Sequence, residues 1–452
     1  MKKHLAWMMM AILVLLTACS GNSPSSAGEH SSSGDQKTVV IAVTGSNRFL
    51  ETAAQKFDDL HPDIHIEIKE YLAMPKTDGG TTSAISQADM EKYVQTVTTQ
   101  ALSGKASDLI DMTNLPQDKF VSKNVLVNLY DLMAQDSAFD KSRYYENILK
   151  SSQNGDGLYA MPFSFSPQFV AGKKSVLEKA GISIDDKTWT WGQFKNIAKK
   201  LQDQVGQDYV AFVNLLPNQL LADYIEKNYS DLVQDGKANF DSELFRGMMN
   251  EIKSMYDEGI LQAEFSYDYD KALFSMTSLY NPAMDLINVL KEDTQLFNRP
   301  TSNGQSGGGE YSSYFTLGLN SKSQVQQEAW EFLKFLLSDE MQSSPELPSG
   351  YPIHKGIVDK KFHEAKEKLL QGGTLEVSGF PVEVPDNLDM SMVDERIATM
   401  KQQLENASKK LTSDMKVFSI AMEEFEAFMN GQKTAEEVSK LIQNRVTTYL
   451  NE

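Results

Sequence analysis

Residues 38–68 read TVVIAVTGSNRFLETAAQKFDDLHPDIHIEI, and this stretch decides the fold. Its beginning, Thr38–Thr44, is an almost continuous apolar run, as a buried strand of a parallel sheet requires. A helix is predicted from about Leu50 to Leu60, and His61-Pro62-Asp63 ends it. In residues 64–68 isoleucines then alternate with polar residues, which predicts a second strand. The order strand, helix, strand is typical of a parallel α/β sheet.

The same pattern continues along the chain. A polar insertion through Gly79-Gly80 leads to a long amphipathic helix from about Met90 to Leu102, with apolar side chains at helical spacing. Gly104 is well placed to end this helix. Residues 108–112, DLIDM, predict a third strand. Strand, helix, strand, helix, strand is the order of a doubly wound α/β lobe.

The second half of the chain is richer in helix signals. Thr190 and Gln193 have the spacing of a capping box, and Trp189 with Phe194 forms a hydrophobic staple at the same helix start. The pair Asn281-Pro282 predicts another helix start, with asparagine as the N-cap and proline at the first helical position.

Three further segments complete the outline. Residues 329–337 predict a helix with Trp330 on its inward face. The tail from about Met390 is predicted to be mostly helical, with an interruption at Gly431. Residues 301–310 contain four glycines and predict a flexible loop.

Composition excludes several classes of function. The chain has 452 residues, and its 43 Lys+Arg against 62 Asp+Glu leave a net charge of −19. Nucleic-acid binding depends on Lys and Arg contacts to phosphate, so this charge argues against a nucleic-acid partner. The single Cys excludes an intramolecular disulfide and every zinc site built from several cysteines. With only six His, we expect no metal site and no cofactor.

The cysteine lies at the end of an apolar N-terminal segment. Lys2 and Lys3 precede the stretch Leu5–Ala18, which suits a secretory signal peptide and is too short to span a membrane as a helix. Leu16-Thr17-Ala18-Cys19 resembles a bacterial lipobox, which implies that residues 1–18 are removed and that Cys19 carries a lipid. The alternative is an ordinary signal peptide followed by an incidental cysteine.

Residues 19–37 are predicted to be a flexible tether. They are rich in Ser and Gly and have almost no apolar side chains to bury. A chain of this type and length reaches roughly 25 Å from its anchor. The expected location is therefore the outer face of the cell membrane. A Gram-positive envelope is favoured, because a lipid tether is most useful where no outer membrane retains the protein.

The rest of the chain resembles the extracellular solute-binding proteins of ABC importers, in the large family (family 1) that mostly binds carbohydrates. Five segments carry the resemblance: residues 169–182 (FVAGKKSVLEKAGI), 188–194 (TWTWGQF), 328–338 (EAWEFLKFLLS), 350–353 (GYPI) and 431–438 (GQKTAEEV). They occur in the family's order, and the resemblance covers nearly all of residues 38–452.

The resemblance implies an α/β, two-lobed, periplasmic-binding-protein-like fold. Each lobe is a sheet flanked by helices, and the ligand cleft lies between the lobes. The expected limits are residues 38–160 plus about 281–343 for lobe 1, and about 161–280 plus 344–452 for lobe 2. The chain is expected to cross between the lobes near residues 159–163, 273–281 and 344–353. Such crossings are natural hinges, because a few dihedral changes there move a whole lobe.

Ligand contacts in such a fold come from loops at the carboxyl ends of the strands and from the crossing segments. The candidates at these places are Asn47, Arg48, Asp111, Asn114, Phe163, Phe165, Tyr280, Asn281, Tyr311, Tyr314 and Tyr351. Each has a structural alternative: the polar side chains cap helices or turns, and the rings pack in the core. At Tyr280 and Asn281 a capped helix end would point its backbone N–H groups into the cleft.

The resemblance favours a sugar or oligosaccharide as the ligand. It implies that a monomeric protein captures this ligand by lobe closure and delivers it to ABC permease subunits. Oligosaccharide binders of the family commonly stack sugars on Trp. Here Trp189, Trp191 and Trp330 have structural explanations, so stacking would fall to Tyr and Phe.

Three alternatives fit the same residues. The scaffold could hold a peptide or an anionic sugar, which Arg48 or Arg299 in the cleft would favour. An anchored glycoside hydrolase would need a carboxylate pair about 5–10 Å apart in the cleft. A ligand sensor would dock to a receptor kinase instead of a permease. No enzyme is predicted: residues 304–308 match G-x-S-x-G in letters but lack the preceding strand and following helix of a nucleophile elbow.

Overall fold

The computed structural model describes residues 36–72, 86–234, 236–290, 293–304, 308–377, 380–385, 388–412 and 414–451. The predicted signal peptide, Cys19 and nearly all of the predicted tether lie outside the described residues. So do the insertion around Gly79-Gly80 and the centre of the predicted loop 301–310. Residues Gln36–Glu452 form one compact unit.

The described residues form fifteen strands and seventeen α-helices. The strands are β1 (Lys37–Val43), β2 (Ile64–Glu70), β3 (Leu109–Asp111), β4 (Met161–Pro162), β5 (Ser164–Lys173), β6 (Val233–Gln234), β7 (Lys237–Ala238), β8 (Phe274–Ser278), β9 (Thr294–Phe297), β10 (Gly309–Ser312), β11 (Thr316–Leu319), β12 (Tyr351–Pro352), β13 (Thr374–Val377), β14 (Phe380–Glu383) and β15 (Ala407–Lys410). The helices are α1 (Arg48–Leu60), α2 (Gln87–Leu102), α3 (Gln117–Ser122), α4 (Leu129–Gln135), α5 (Glu146–Ser151), α6 (Lys174–Lys179), α7 (Trp191–Val205), α8 (Pro217–Lys227), α9 (Tyr229–Leu232), α10 (Glu243–Asp257), α11 (Pro282–Leu290), α12 (Gln326–Leu336), α13 (Asp339–Ser343), α14 (Lys355–Gln371), α15 (Val393–Asn406), α16 (Met415–Met429) and α17 (Ala435–Asn451).

The first sheet has the order β2-β1-β3-β11-β4. β1 runs parallel to β2 and β3, as the opening sequence predicts, whereas β11 is antiparallel to both of its neighbours. Helix α1 connects β1 to β2. It begins at Arg48, two residues before the predicted start, because the Asn47 side chain accepts a hydrogen bond of 2.8 Å from Leu50 N and caps the helix there.

The second sheet has the order β12-β5-β10-β15, and β8 and β9 also pair with β5. Its last strand was not predicted: the tail forms α15, α16 and α17, but residues 407–410 between them are a strand parallel to β10. The sequence ASKK has weak strand propensity. The strand exists because β10 offers a pairing edge and Ala407 is buried there.

Both predicted helix starts in the second half are confirmed. The Thr190 hydroxyl accepts from Gln193 N at 3.1 Å, and Gln193 Oε1 accepts from Thr190 N at 2.8 Å, which completes the capping box. The rings of Trp189 and Phe194 pack edge to face, with centroids 5.8 Å apart. Asn281 Oδ1 accepts from the backbone N–H groups of the next two non-proline residues at 3.0 and 3.2 Å.

Buried apolar side chains form three clusters. One cluster lies on the face of the first sheet covered by α1 and α12 and continues onto β5, β10 and β12 of the second sheet, and another lies between the opposite face of the first sheet and α2. The third surrounds the second sheet and includes α7, α8, α10, α16 and α17. Each sheet is therefore flanked by helices, which is the expected α/β architecture.

The packing differs in places from the expected lobe limits. Residues 344–452 were expected together in lobe 2. In the structure α14 and α15 contact β12 and β15 of the second sheet and share a core with α11, whereas α16 and α17 pack in another core of the second sheet. Strand β9 was expected in lobe 1 and pairs with β5 of the second sheet. The exact division into lobes stays a prediction.

The chain passes directly between the sheets at two points. At Phe163 it leaves β4 and enters β5, within the predicted crossing 159–163. At residues 313–315 it leaves β10 of the second sheet and enters β11 of the first, a passage that was not among the three predicted.

Candidate functional site

A polar cavity of about 710 Å³ lies between elements of the two sheets. Its volume falls in the ~300–1,000 Å³ range of small-ligand sites. The segment after β3, helix α3 and the end of α5 form one side, which we call the first wall. Helix α8, helix α9, residues 410–412 and Asp414 form the second wall, and residues 312–316 connect the two walls. Hydroxyl and amide side chains are the commonest lining groups, among them Thr113, Asn114, Gln153, Asn154, Ser312 and Thr412.

Asp111 fixes the turn after β3 with which the first wall begins. Its Oδ1 accepts hydrogen bonds from Thr113 N at 3.0 Å and from Thr113 Oγ1 at 2.6 Å, which bends the chain directly after β3. Burial raises the pKa of Asp111 to about 6, although these two hydrogen bonds oppose the shift. The turn presents Asn114, the next residue, to the cavity.

The passage from β10 to β11 forms the floor between the walls. Tyr314 lies on it, lines the cavity and is 49% exposed. Thr316 also lines the cavity, and its buried hydroxyl has no hydrogen-bond partner within the part of the chain that the structure describes. A polar ligand in the cavity could supply that partner.

Asp414 organises the second wall. Its Oδ1 accepts from Lys416 N at 3.0 Å and Val417 N at 3.1 Å, so it caps α16. Its Oδ2 accepts from the Tyr229 hydroxyl at 3.0 Å and the Tyr449 hydroxyl at 3.4 Å. Burial raises the pKa of this carboxyl. Because its oxygens already accept four hydrogen bonds, Asp414 is a structural group of the wall.

Two other ionisable side chains of the second wall have no such partners. Glu226 of α8 and Lys410 of β15 line the cavity, and neither forms an ion pair or side-chain hydrogen bond with the described residues. Burial, followed by the nearby Glu310 carboxylate, raises the pKa of Glu226 to about 7. Burial lowers the pKa of Lys410 to about 8, and the Asp118 carboxylate of the first wall opposes this shift.

Helices from the two sides also touch beyond the cavity. Glu91 of α2, which packs on the first sheet, accepts from Lys416 Nζ at 3.2 Å and from Ser419 Oγ at 2.7 Å. Both partners belong to α16 of the second core. This contact joins the two sides directly by side chains.

Two of the predicted ligand contacts, Asn114 and Tyr314, line the cavity. Both follow the end of a strand, where the topology places them. Whether they touch a ligand stays a prediction.

Four of the predicted rings are buried in the core. Phe163, Phe165, Tyr311 and Tyr351 are each 0% exposed. Phe165 packs edge to face on Tyr311 at a centroid distance of 6.0 Å, and the Tyr311 hydroxyl is 2.8 and 3.0 Å from two serine hydroxyls at the end of α5. This placement matches their structural alternative, since none of the four rings lines the cavity.

Four other predicted residues lie at helix starts outside the cavity lining. Asn47 and Asn281 use their side-chain oxygens to cap α1 and α11. The Arg48 side chain is 82% exposed and lies 3.7 Å from Glu346, and Tyr280 is 41% exposed. A helix start does occur at 281, as predicted, but its side chains do not contribute to this cavity.

The two arginines that would have favoured an anionic ligand do not line the cavity either. Arg48 is at the start of α1, and Arg299 is buried beside Asp223, to which its guanidinium is paired. Glu226, Tyr229 and Lys410, in contrast, were missed by the sequence analysis. Glu226 and Tyr229 lie in an amphipathic helical region, and Lys410 lies in a strand without a local signal, so the sequence offered no sign of their position.

Three further observations on the described ranges concern metal ions, other cavities and membrane spans. Among those residues, no group of three His, Cys, Asp or Glu side chains is arranged to hold a metal ion. A second cavity of about 550 Å³ is lined by α4, α5 and nearby residues, and a third of about 270 Å³ lies around Asn214. Within the described residues, none of the helices has the length and apolar character needed to cross a membrane.

Comparison with known proteins identifies the family of the chain. Residues 44–343 match the family model described as bacterial extracellular solute-binding protein. Among solved structures, the sugar-binding protein MalE of Xanthomonas citri superposes with a TM-score of 0.58 at 16% identity, covering 92% of this chain and 98% of that one. The ABC substrate-binding protein Lmo0181 of Listeria monocytogenes, in complex with cycloalternan, superposes with a TM-score of 0.54 at 15% identity, covering 92% of this chain and 100% of that one. Maltose-bound MalE3 of T. maritima superposes with a TM-score of 0.54 at 17% identity, covering 91% of this chain and 99% of that one. At these identities the likeness shows the two-lobed fold alone.

Proposed function

The chain belongs to the bacterial extracellular solute-binding proteins, and on that premise we propose that it captures a sugar or oligosaccharide in the cavity between its two walls for an ABC importer. The observation that carries the proposal is the cavity itself. It is bounded by elements of both sheets, and hydroxyl and amide groups are its commonest lining groups. Such groups donate and accept hydrogen bonds, as the hydroxyls of a sugar also do.

Tyr314 supplies the ring on which a sugar would stack. It is half exposed on the floor of the cavity, and its ring could cover the apolar face of a sugar. The three tryptophans of the described residues cannot do this as placed, because Trp189, Trp191 and Trp330 are at most 3% exposed. The solved relatives named above with cycloalternan and maltose support a carbohydrate ligand by analogy of fold.

Ligand capture would work by closing the two sides around the ligand. The passages at Phe163 and at 313–315 are short, so a few dihedral changes there would move one side against the other. A ligand that contacts both walls favours the closed arrangement only by its greater affinity for that arrangement. The closed form would then be presented to the permease subunits, and no covalent step is involved.

We further propose that Cys19 anchors a monomeric protein to the outer face of the cell membrane. The proposal rests on the lipobox-like Leu16–Cys19 and on the Ser/Gly-rich residues that follow. Expression of the full chain in a bacterium, followed by intact-mass analysis, should find a lipid on Cys19 and a new N-terminus there. A Cys19→Ala chain recovered in the membrane to the same extent would contradict the anchor.

The ligand proposal is tested by thermal shift and calorimetry on the compact unit that begins at Gln36. The panel contains mono- and oligosaccharides, uronides, short peptides and metal ions. A ligand at 100 times its dissociation constant stabilises a protein by about 2.7 kcal/mol. We expect one class of sugar to raise Tm without formation of a new product. A response limited to peptides or metal ions, or consumption of the sugar, would overturn the proposal.

A pair of tyrosine variants locates the site. Tyr314→Ala should weaken binding of the sugar found in the screen by about 10-fold or more, because loss of the apolar surface that the ring buries costs on the order of 1.5–3 kcal/mol. Tyr267→Ala is the matched control, since Tyr267 is exposed and does not line this cavity. Equal affinities of the two variants would place the ligand elsewhere.

A further inference from the structure

Lys410 stands out among the charged groups of the cavity. It lies in β15, opposite Tyr311 of the central strand β10, and its side chain lines the cavity from the second wall. Within the described part of the chain, no oxygen accepts a hydrogen bond from its ammonium group and no carboxylate lies within 4.0 Å of it. A partly buried ammonium group without an acceptor is costly, and a bound ligand can remove that cost.

The acidic groups near Lys410 do not pair with it. The Asp118 carboxylate, on the opposite wall, attracts the Lys410 charge from beyond 4.0 Å and accepts a hydrogen bond from Asn154 Nδ2. Asp414 accepts the four hydrogen bonds described above. Glu226 lies beside Glu310, and this neighbour together with burial favours its neutral form. The second wall therefore does not supply Lys410 with a counter-charge.

The other cations of the lining have different surroundings. Lys119 lies over the ring of Tyr449, with its Nζ 5.7 Å from the centroid. Lys123 is exposed at the rim, where water solvates its charge. Of the three lysines that line the cavity, Lys410 is thus the one that is partly buried and whose ammonium group contacts neither an acceptor nor an aromatic ring among the described residues.

From this arrangement we propose that Lys410 binds a carboxylate of the ligand, so that the cavity takes an acidic sugar such as a uronate-containing oligosaccharide. The inference rests on the proposed sugar-binding function and narrows its substrate class. A neutral sugar needs hydrogen-bonding groups but no unpaired cation. An anionic ligand, in contrast, is repelled by the net charge of −19 of the chain. A charge-assisted hydrogen bond between its carboxylate and Lys410 would offset this repulsion.

The test measures affinities by calorimetry for two matched pairs of sugars: digalacturonate against galactobiose, and diglucuronate against cellobiose. We expect at least one uronate to bind more tightly than its neutral counterpart, and added salt to weaken the uronate selectively. Lys410→Met should reduce uronate affinity by about 10- to 100-fold, the usual effect of losing a hydrogen bond between charged groups. It should change neutral-sugar affinity by less than about 3-fold.

Two variants control for folding and for general electrostatics. Lys410→Arg keeps the charge and should retain most of the preference for uronates. Lys179→Met removes the same charge from an exposed position of α6 outside the cavity lining and should leave the preference unchanged. Because Lys410→Met removes an unpaired cation, its Tm without ligand should equal or exceed that of the wild type, which separates loss of binding from loss of folding.

The possible failures are distinguishable. If neutral sugars bind as tightly as uronates, or if Lys410→Met weakens both alike, the inference is overturned and the sugar-binding function stands. Absence of binding for both uronates also overturns the inference about Lys410. If neither these sugars nor the wider carbohydrate panel binds and a peptide does, the proposed function itself fails.

Discussion

The hydroxyl of Tyr351 donates a hydrogen bond of 2.9 Å to Oδ2 of Asp285, and both side chains are buried. The same oxygen accepts from the backbone N–H groups of Tyr280 and Asn281 at 2.8 and 2.9 Å. Tyr351 belongs to β12 on the edge of the second sheet, and Asp285 lies in the first turn of α11 in the first core. One carboxylate therefore ties the edge strand β12 of the second sheet to the start of α11, near two of the predicted crossings.

Replacement of Asp285 should separate its acceptor role from its charge. Asp285→Ala leaves two backbone N–H groups and the Tyr351 hydroxyl without their acceptor, and we expect a loss of about 3 kcal/mol in the free energy of unfolding. Asp285→Asn keeps one carbonyl oxygen at the site and should lose less than ~1 kcal/mol. Urea denaturation at neutral pH measures both. Equal losses for the two variants would show that the hydrogen bonds do not matter.

The same residue makes stability depend on pH. Burial raises the pKa of Asp285 from 3.8 to about 7, against the opposing hydrogen bonds from Tyr351 and the backbone. The folded state therefore holds the proton more tightly than the unfolded state. This contribution to stability is present in full below pH ~4 and is lost as the pH rises to about 7.

Asp285→Asn cannot titrate, so it isolates this effect from the other carboxyls. From pH ~4 to about 7, the wild type should lose on the order of 4 kcal/mol of unfolding free energy relative to the asparagine variant. Paired denaturation curves across this interval measure the difference. A constant difference would mean that Asp285 is ionised throughout.

A buried ion pair beneath the second wall should be essential for stability. Lys227 Nζ lies 3.2 Å from Glu310 Oε2, donates to Pro300 O at 2.9 Å and lies 5.5 Å from the centroid of the Trp191 ring. Lys227→Met leaves the Glu310 carboxylate buried without its nearest cation, and we expect a loss of about 3–5 kcal/mol.

Two controls sharpen this prediction for Lys227. The double variant Lys227→Met, Glu310→Gln removes both charges and should recover most of the loss. Lys195→Met breaks the more exposed pair with Glu258, 2.9 Å long, and should cost less than ~1 kcal/mol. Thermal and urea unfolding report both, and a small loss for Lys227→Met would show that water or a rearrangement solvates Glu310.

The bridge from Glu91 to Lys416 and Ser419 should favour the arrangement seen here, in which the two sides touch. Glu91→Gln weakens both contacts and should reduce ligand affinity by about 2- to 5-fold, because an exposed or half-buried ion pair contributes ~0–1 kcal/mol. Glu426→Gln changes an exposed glutamate of the same helix α16 and is the control. Identical affinities for both variants would mean that the bridge does not contribute to closure.

Local sequence signals predicted the elements that depend on short-range physics. The apolar run at 38–44 became β1, the capping box at Thr190 formed with both hydrogen bonds, and Asn281-Pro282 started α11. Two of the predicted ligand contacts, Asn114 and Tyr314, line the cavity just after strand ends, and their contact with a ligand stays a prediction. These features follow from residues close in sequence, or from the order of the elements alone.

The acidic composition, the α/β class and the resemblance to solute-binding proteins were thus determined by the sequence itself, whereas the N-terminal export signal stays a prediction. The tertiary structure decided which side chains face the cavity. It buried the rings of Phe163, Phe165, Tyr311 and Tyr351, and it brought Glu226 and Lys410 to one wall from positions far apart in the chain. The reason is that burial in a two-sheet protein depends on pairing between distant strands: β15 exists because β10 offers it an edge, and no local pattern around Lys410 records that pairing.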